Sequence, residues 1–175
     1  AVISTIETFG DTIHTFVERK NYHGPFLPGF HPLKNSTNNA LAGLFHIDHI
    51  VGNQPTGEMK KVCKFYEKIF NWHRFWTVDD KDINTKYSSL RSVVMANENE
   101  KIKMPINEPA AGLKKSQIQE FIDYYGTPGV QHLAFSTKDI ISTVKTMKAN
   151  GVDFLPTPSS YYDKLTDRVG PIHED

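Results

Sequence analysis

The chain has 175 residues, in which 20 lysines and arginines balance 20 aspartates and glutamates, and 38% of the residues are hydrophobic. That length suits one domain, or one small domain with a remnant of another, and that composition excludes a disordered chain. The absence of any long basic or acidic block points away from nucleic acid and membrane surfaces, and the single cysteine, Cys63, excludes an internal disulfide framework.

The cytoplasm is the expected compartment, because a chain without disulfides suits reducing conditions. Charges and prolines interrupt every apolar run, so neither a signal peptide nor membrane insertion is expected. In chain order, Val2 to Ile6 and Thr12 to Val17 carry strand-like alternation around a Gly10-Asp11 turn. The chain opens in mid-rhythm without methionine, and this hairpin reads as the close of a preceding domain. Residues 21–43 hold Gly24-Pro25, Pro28-Gly29, Pro32 and a run of Asn, Ser and Thr, the composition of a linker or wrapping loop. Tyr22, Phe26 and Phe30 are expected to dock it onto a surface. Residues 1–43 are thus assigned to a domain remnant plus linker, and residues 44–175 to a catalytic-type domain.

A first module, 44–126, begins with a strand at 44–51. Thr56 is placed as the cap of a helix whose apolar residues Met59, Val62, Tyr66 and Ile69 recur at helical spacing, with Asn71 at its end. Cys63 falls within that pattern beside Val62 and reads as a small buried apolar residue. Strands follow at 72–78, 87–97 and 101–106, with a turn at Asp79 to Asp82. A polar loop from Asn107 to Lys115 leads to a helix started by Ser116 and closed near Gly126. The plan then restarts in an incomplete second module, 127–175. It has a strand at 130–136, a helix capped by Asp139 and closed by Asn150-Gly151, a strand at 152–155 and a short helix at 159–165. Repeated strand-helix-strand-strand-strand units make the fold class α+β.

Chemistry is sought first at His49 and His132. Each lies inside a short apolar strand followed by a helical pattern, at equivalent places in the two modules. A single histidine on an apolar strand face is usually a packed residue with one nitrogen hydrogen-bonded. Its recurrence favours two ligands brought to one ion. Two histidines plus one carboxylate, leaving open positions, is the arrangement of non-haem Fe(II) oxygenases. His46 points to the opposite face and is the weaker candidate. His14, His23, His31, His73 and His173 read as surface or packing residues.

The segments His46 to Asn53, Tyr87 to Ser92, Lys101 to Pro109, Lys115 to Gln119 and Gly129 to His132 resemble 4-hydroxyphenylpyruvate dioxygenases of the animal type. The similarity runs from about Ile13 to about Leu165, with long motifs in the same order. The resemblance implies the vicinal-oxygen-chelate fold of paired βαβββ modules, the second one truncated here. It implies an Fe(II) enzyme of tyrosine and phenylalanine catabolism, taking 4-hydroxyphenylpyruvate and O2 to homogentisate and CO2, and a homodimer as the full-length protein. By matching motifs, His49 and His132 fall on the iron ligands, and Ser92, Asn107, Gln117 and Gln131 on the substrate pocket. The third ligand, a glutamate, is expected beyond Asp175, so the activity is assigned to the parent protein, with this piece alone inactive. Three rivals stay open. One is a related dioxygenase forming 4-hydroxymandelate, and another is a Zn or Ni isomerase or lyase on the same scaffold. The third is a metal-free, non-catalytic module with packed histidines.

Overall fold

The computed structural model describes residues 1–32, 41–78, 89–112, 114–157, 159–163, 165 and 169–170. The chain divides into two compact units, one of residues 1–36 and 45–137, the other of residues 37–44 and 138–175.

In the first unit, β1 (Val2–Phe9) and β2 (Thr12–Glu18) form an antiparallel hairpin. Gly10, at φ +56°, makes its turn, where a Cβ would meet the Pro128 carbonyl oxygen. Five further strands build one sheet in the order β4-β5-β6-β3-β7. They are β3 (Leu44–Asn53), β4 (His73–Val78), β5 (Ser89–Ala96), β6 (Lys103–Ala110) and β7 (Gly129–Thr137). β3 and β6 run parallel in the centre, and β5 pairs antiparallel with both β4 and β6. Helix α1 (Met59–Phe70) crosses between β3 and β4, the connection two strands of one sheet need when they are not hairpin neighbours.

The strand period of two sorts side chains onto the two faces of the sheet. On one face Val93, Met95, Met104 and Ile106 meet Met59, Val62, Cys63 and Tyr66 of α1, with Phe9 of the hairpin, in a buried core. Gly52 belongs to this packing, because a Cβ there would stand 2.6 Å from the Phe9 ring. Tyr66 is fully buried. It stacks on Trp72, and its hydroxyl bonds His14 Nε2 at 2.8 Å. The apolar stripe of α1 continues to Phe70 rather than to Ile69, which stays half exposed. Asn71 ends the helix in the left-handed region, at φ 54°.

Several local expectations change. Thr56 does not cap α1. The buried Glu108 carboxylate of β6 does so instead, its Oε2 accepting the N–H groups of Gly57 at 2.9 Å and Met59 at 3.2 Å. The supposed loop from Asn107 is strand as far as Ala110. Pro105 and Pro109 are tolerated because they share the parity of Asn107, whose carbonyl accepts the Gln54 N–H from the β3 side. Their missing donors fall on that side, and the ladder with β5 runs unbroken from Ser89↔Ala110 to Ala96↔Lys103. Phe26 and Phe30 close edge-to-face on each other with ring centroids 4.9 Å apart, 61% and 54% exposed, instead of docking onto a surface. The turn expected at Asp79 to Asp82 lies outside the described residues.

Helix α2 (Gln117–Tyr125) starts at Ser116, whose Oγ accepts the Ile118 N–H, and ends at Gly126, at φ +84°. In the second unit, α3 (Ile140–Ala149) is capped by Asp139, which accepts the Ser142 N–H at 3.0 Å, and closes at Asn150 and Gly151. The strand expected at Val152 to Leu155 is not formed. Its residues are strand formers, but among the described residues no neighbouring strand offers them a ladder. A single turn, α4 (Ser159–Tyr162), follows. No helix among the described residues is long and apolar enough to cross a membrane.

Candidate functional site

The face of the sheet opposite α1 carries a cavity of about 380 Å³ lined from all five strands. Alternate residues supply most of it: Val51 and His49 from β3 (joined by the adjacent Asp48), Leu90, Ser92 and Val94 from β5, Lys103, Pro105 and Asn107 from β6, and His132 from β7. β4 contributes two consecutive residues, Phe75 and Trp76. The pairing with β5 jumps from Arg74↔Met95 to Trp76↔Val94, so Phe75 is an extra residue in a bulge, and the bulge turns both rings to one cavity. The walls are mainly apolar, with a few polar groups converging among them, the usual make-up of a small-molecule site.

His49 and His132 meet in this cavity, with ring centroids 5.8 Å apart and planes at 73°. β7 lies directly beside β3 in the sheet, so residues 83 positions apart become neighbours. An imidazole bonded to a metal at ~2.1 Å keeps its centroid about 3.3 Å from the ion, so two ligands of one ion have centroids within about 6.6 Å. The observed separation meets that limit.

Each imidazole has one nitrogen already engaged. His49 Nδ1 lies 2.8 Å from Asp48 Oδ2, and Lys103 Nζ donates to Asp48 Oδ1 at 3.1 Å. Those hydrogen bonds, from His49 first and Lys103 second, hold the Asp48 carboxyl below its ordinary range. An ionised carboxylate only accepts, so Nδ1 of His49 carries a proton, and the neutral tautomer this selects has its lone pair on Nε2. His132 Nδ1 is 2.9 Å from Gln131 Oε1, an acceptor as well, which leaves its Nε2 in the same state. Burial, and then the proximity of His49, push the His132 imidazole below its usual value, so it stays neutral more readily. An imidazole whose Nδ1–H is tied back to an acceptor, with its lone pair on Nε2, is the form in which histidine binds metals. Among the described residues, no group of three or more His, Cys, Asp or Glu side chains could hold an ion.

Of the other residues singled out from sequence, Ser92 and Asn107 line the cavity as direct strand partners, and Asn107 Nδ2 donates to Asn53 Oδ1 at 3.4 Å. Gln131 engages His132 and is not in the lining. Gln117 is exposed on the first turn of α2, also outside it. His46 bonds Ser136 away from the cavity, and His73 meets Glu100 on the surface. His173 lies outside the described residues. Sequence reasoning missed Asp48, Lys103, Phe75, Trp76, Leu90, Val94 and Pro105. Strand parity with Asn107 and Ser92 could have found Lys103, Pro105, Leu90 and Val94. Nothing in the pattern announces a bulge at Phe75.

Comparisons bear on the same region. The model of the Glyoxalase/Bleomycin resistance protein/Dioxygenase superfamily matches residues 46–169. The chain is 54% identical over 167 residues to the 4-hydroxyphenylpyruvate dioxygenase of Tetrahymena thermophila, covering 93% of this chain and 41% of that protein. It is 52% identical to the Yarrowia lipolytica protein of that name (95% and 43%) and 53% identical to the Caenorhabditis elegans one (95% and 44%). The chain thus spans less than half the length of these curated relatives. Among solved structures, a triple mutant of 4-hydroxymandelate synthase from Streptomyces coelicolor is similar, with a TM-score of 0.70 at 28% identity. That match covers 94% of this chain and 46% of the other.

Proposed function

The chain belongs to the Glyoxalase/Bleomycin resistance protein/Dioxygenase superfamily, and from that premise we propose that it carries the ion-binding cavity of a 4-hydroxyphenylpyruvate dioxygenase. The reaction is the conversion of 4-hydroxyphenylpyruvate and O2 to homogentisate and CO2. The observation that carries this reading is the convergence of His49 and His132 on one cavity. It stands in a chain about half identical to proteins of that name over nearly its whole length.

The donors fit Fe(II), because imidazole nitrogen suits that ion and two histidines leave positions for a carboxylate and for substrate. His49 and His132 would hold it through Nε2. The relatives are more than twice as long as the stretch matched, which leaves room for a glutamate as third ligand. When bound, the iron supplies the oxygen chemistry: oxidative decarboxylation of the 2-oxo acid, ring hydroxylation and side-chain migration. The remaining tasks fall to the chain. Phe75, Trp76, Leu90 and Val94 flank the ring and exclude water. Ser92 and Asn107 offer neutral donors and acceptors that orient the polar ends of the substrate. Gln117 and Gln131 are assigned to the pocket by the matching motifs alone; Gln131 holds the His132 ring from outside the lining. The parent protein acts in the cytoplasm as a homodimer.

The test uses the longer parent protein, loaded anaerobically with Fe(II) and given 4-hydroxyphenylpyruvate and O2. Homogentisate, with one O2 consumed and one CO2 released per turnover, is the expected product, and His49→Ala and His132→Ala each abolish it. Hydroxymandelate as the product would move the assignment to the synthase that shares the fold. Turnover without O2, supported by Zn or Ni, would move it to an isomerase or lyase.

A further inference from the structure

Among the described residues Asp48 is the one carboxylate lining the cavity, and its position admits two roles: third ligand, or anchor of a ligand. We propose that Asp48, itself held by Lys103, is a positioning residue that fixes His49 with its proton on Nδ1 and its Nε2 lone pair toward the cavity, and is not a ligand. The inference rests on the reading of His49 as a metal ligand.

Three observations carry it. Both carboxylate oxygens are already committed, Oδ2 to His49 Nδ1 at 2.8 Å and Oδ1 to Lys103 Nζ at 3.1 Å. Each oxygen keeps a second lone pair, so what these bonds fix is the orientation of the carboxylate, turned to the imidazole and the ammonium. Second, His49 and Lys103 are register partners in the parallel β3–β6 pair, so the sheet itself places the ammonium beside the imidazole. Asp48 bridges the two across the strands, which ties the ring to the centre of the sheet rather than to its own strand alone. Third, the two histidines are held unequally. His132 has a neutral amide from Gln131 at 2.9 Å, on β7 at the edge of the sheet. His49 has a charged acceptor on a central strand. Charge-assisted hydrogen bonds are the stronger class, so His49 is the fixed ligand and His132 the adaptable one.

The experiment reads two quantities on the whole chain. The first is the tautomer of His49 in metal-free protein, from long-range proton–nitrogen NMR correlations. The wild type is expected as Nδ1–H, and Asp48→Ala is expected to move the ring toward Nε2–H. Asp48→Asn keeps a neutral acceptor and retains the wild-type tautomer. The second is Co(II) affinity by titration. Asp48→Ala is expected to lose roughly 10–100-fold, the usual cost of removing a partner that orients a ligand. Asp48→Asn should recover part of that loss.

Lys103→Met decides between the two roles by sign. An anchor deprived of its own support weakens Co(II) binding, whereas a ligand freed from Lys103 strengthens it. Unchanged tautomer and affinity in Asp48→Ala, or tighter binding in Lys103→Met, overturns the proposal. Circular dichroism of each variant separates these effects from unfolding. If the wild type takes up no Co(II), the metal reading of the site fails, and the tautomer readout still decides the role of Asp48.

Discussion

His14 shows how one side chain couples the hairpin to the helix and to pH. Its Nε2 bonds the Tyr66 hydroxyl at 2.8 Å, and its ring meets Tyr66 and Phe70 edge-on. Burial lowers the His14 pKa from its ordinary 6.5. The folded state therefore binds fewer protons than the unfolded state in the window just below that value. Stability is full above pH 6.5 and falls as the pH drops through 6.5 toward the folded pKa. Urea midpoints measured across that range should decline on acidification, and His14→Gln should flatten the decline; a profile unchanged by the substitution would assign the effect to another group. At this scale the sequence was legible in part. Two imidazoles at matching places in two strand-helix units signalled a shared role. Asp48 and Lys103 carried no such signal: the Asp48–His49 bond depends on side-chain rotamers, and the Lys103–Asp48 bond depends on β3 lying in register beside β6. Family motifs led to Ser92 and Asn107, and strand parity brings both to the cavity; no periodic rule fixes where Gln117 on an exposed helical turn will reach.

At the scale of elements, α1 is held at its start by a group 49 to 51 residues away. Glu108 is 4% exposed, accepts the N–H groups of Gly57 and Met59 on either side of the helix start, and meets Arg91 Nε at 3.4 Å. Glu108→Ala strips these donors of a buried acceptor and should cost about 1–3 kcal/mol in a urea melt. Thr56→Ala, at the position that sequence alone favoured as the cap, should stay within about 0.5 kcal/mol. The reverse order would show that the cap is local after all. The helices themselves were readable, because their apolar spacing and end residues are local chemistry: Ser116, Asp139, Asn71 and Gly126 all act where they stand. The cap from β6 and the continuation of that strand past Asn107 were not readable. Both depend on which strand lies alongside, and Pro105 and Pro109 look like breakers until the face of their missing N–H is known. The segment 152–155 failed in the opposite sense, with strand-forming residues and no neighbouring strand among the described residues.

At the scale of the molecule, the sheet order turns a sequence repeat into a site. Placing β7 beside β3 brings His132 to His49, and placing β6 on the other side of β3 brings Lys103 and Asn107 to the same cavity. The aromatic bulge of β4 closes the far wall. A strand-helix-strand-strand-strand reading was enough to anticipate the α+β class. It could not set the order of strands in space, since non-local pairing is decided by the packing of the whole sheet. The most direct test of the central claim is an anomalous difference map at the iron absorption edge, from crystals of the chain grown and soaked with Fe(II) under anaerobic conditions. One peak about 2.0–2.2 Å from Nε2 of both His49 and His132 is the predicted result. A peak bound by one of them alone, or by neither, would contradict it.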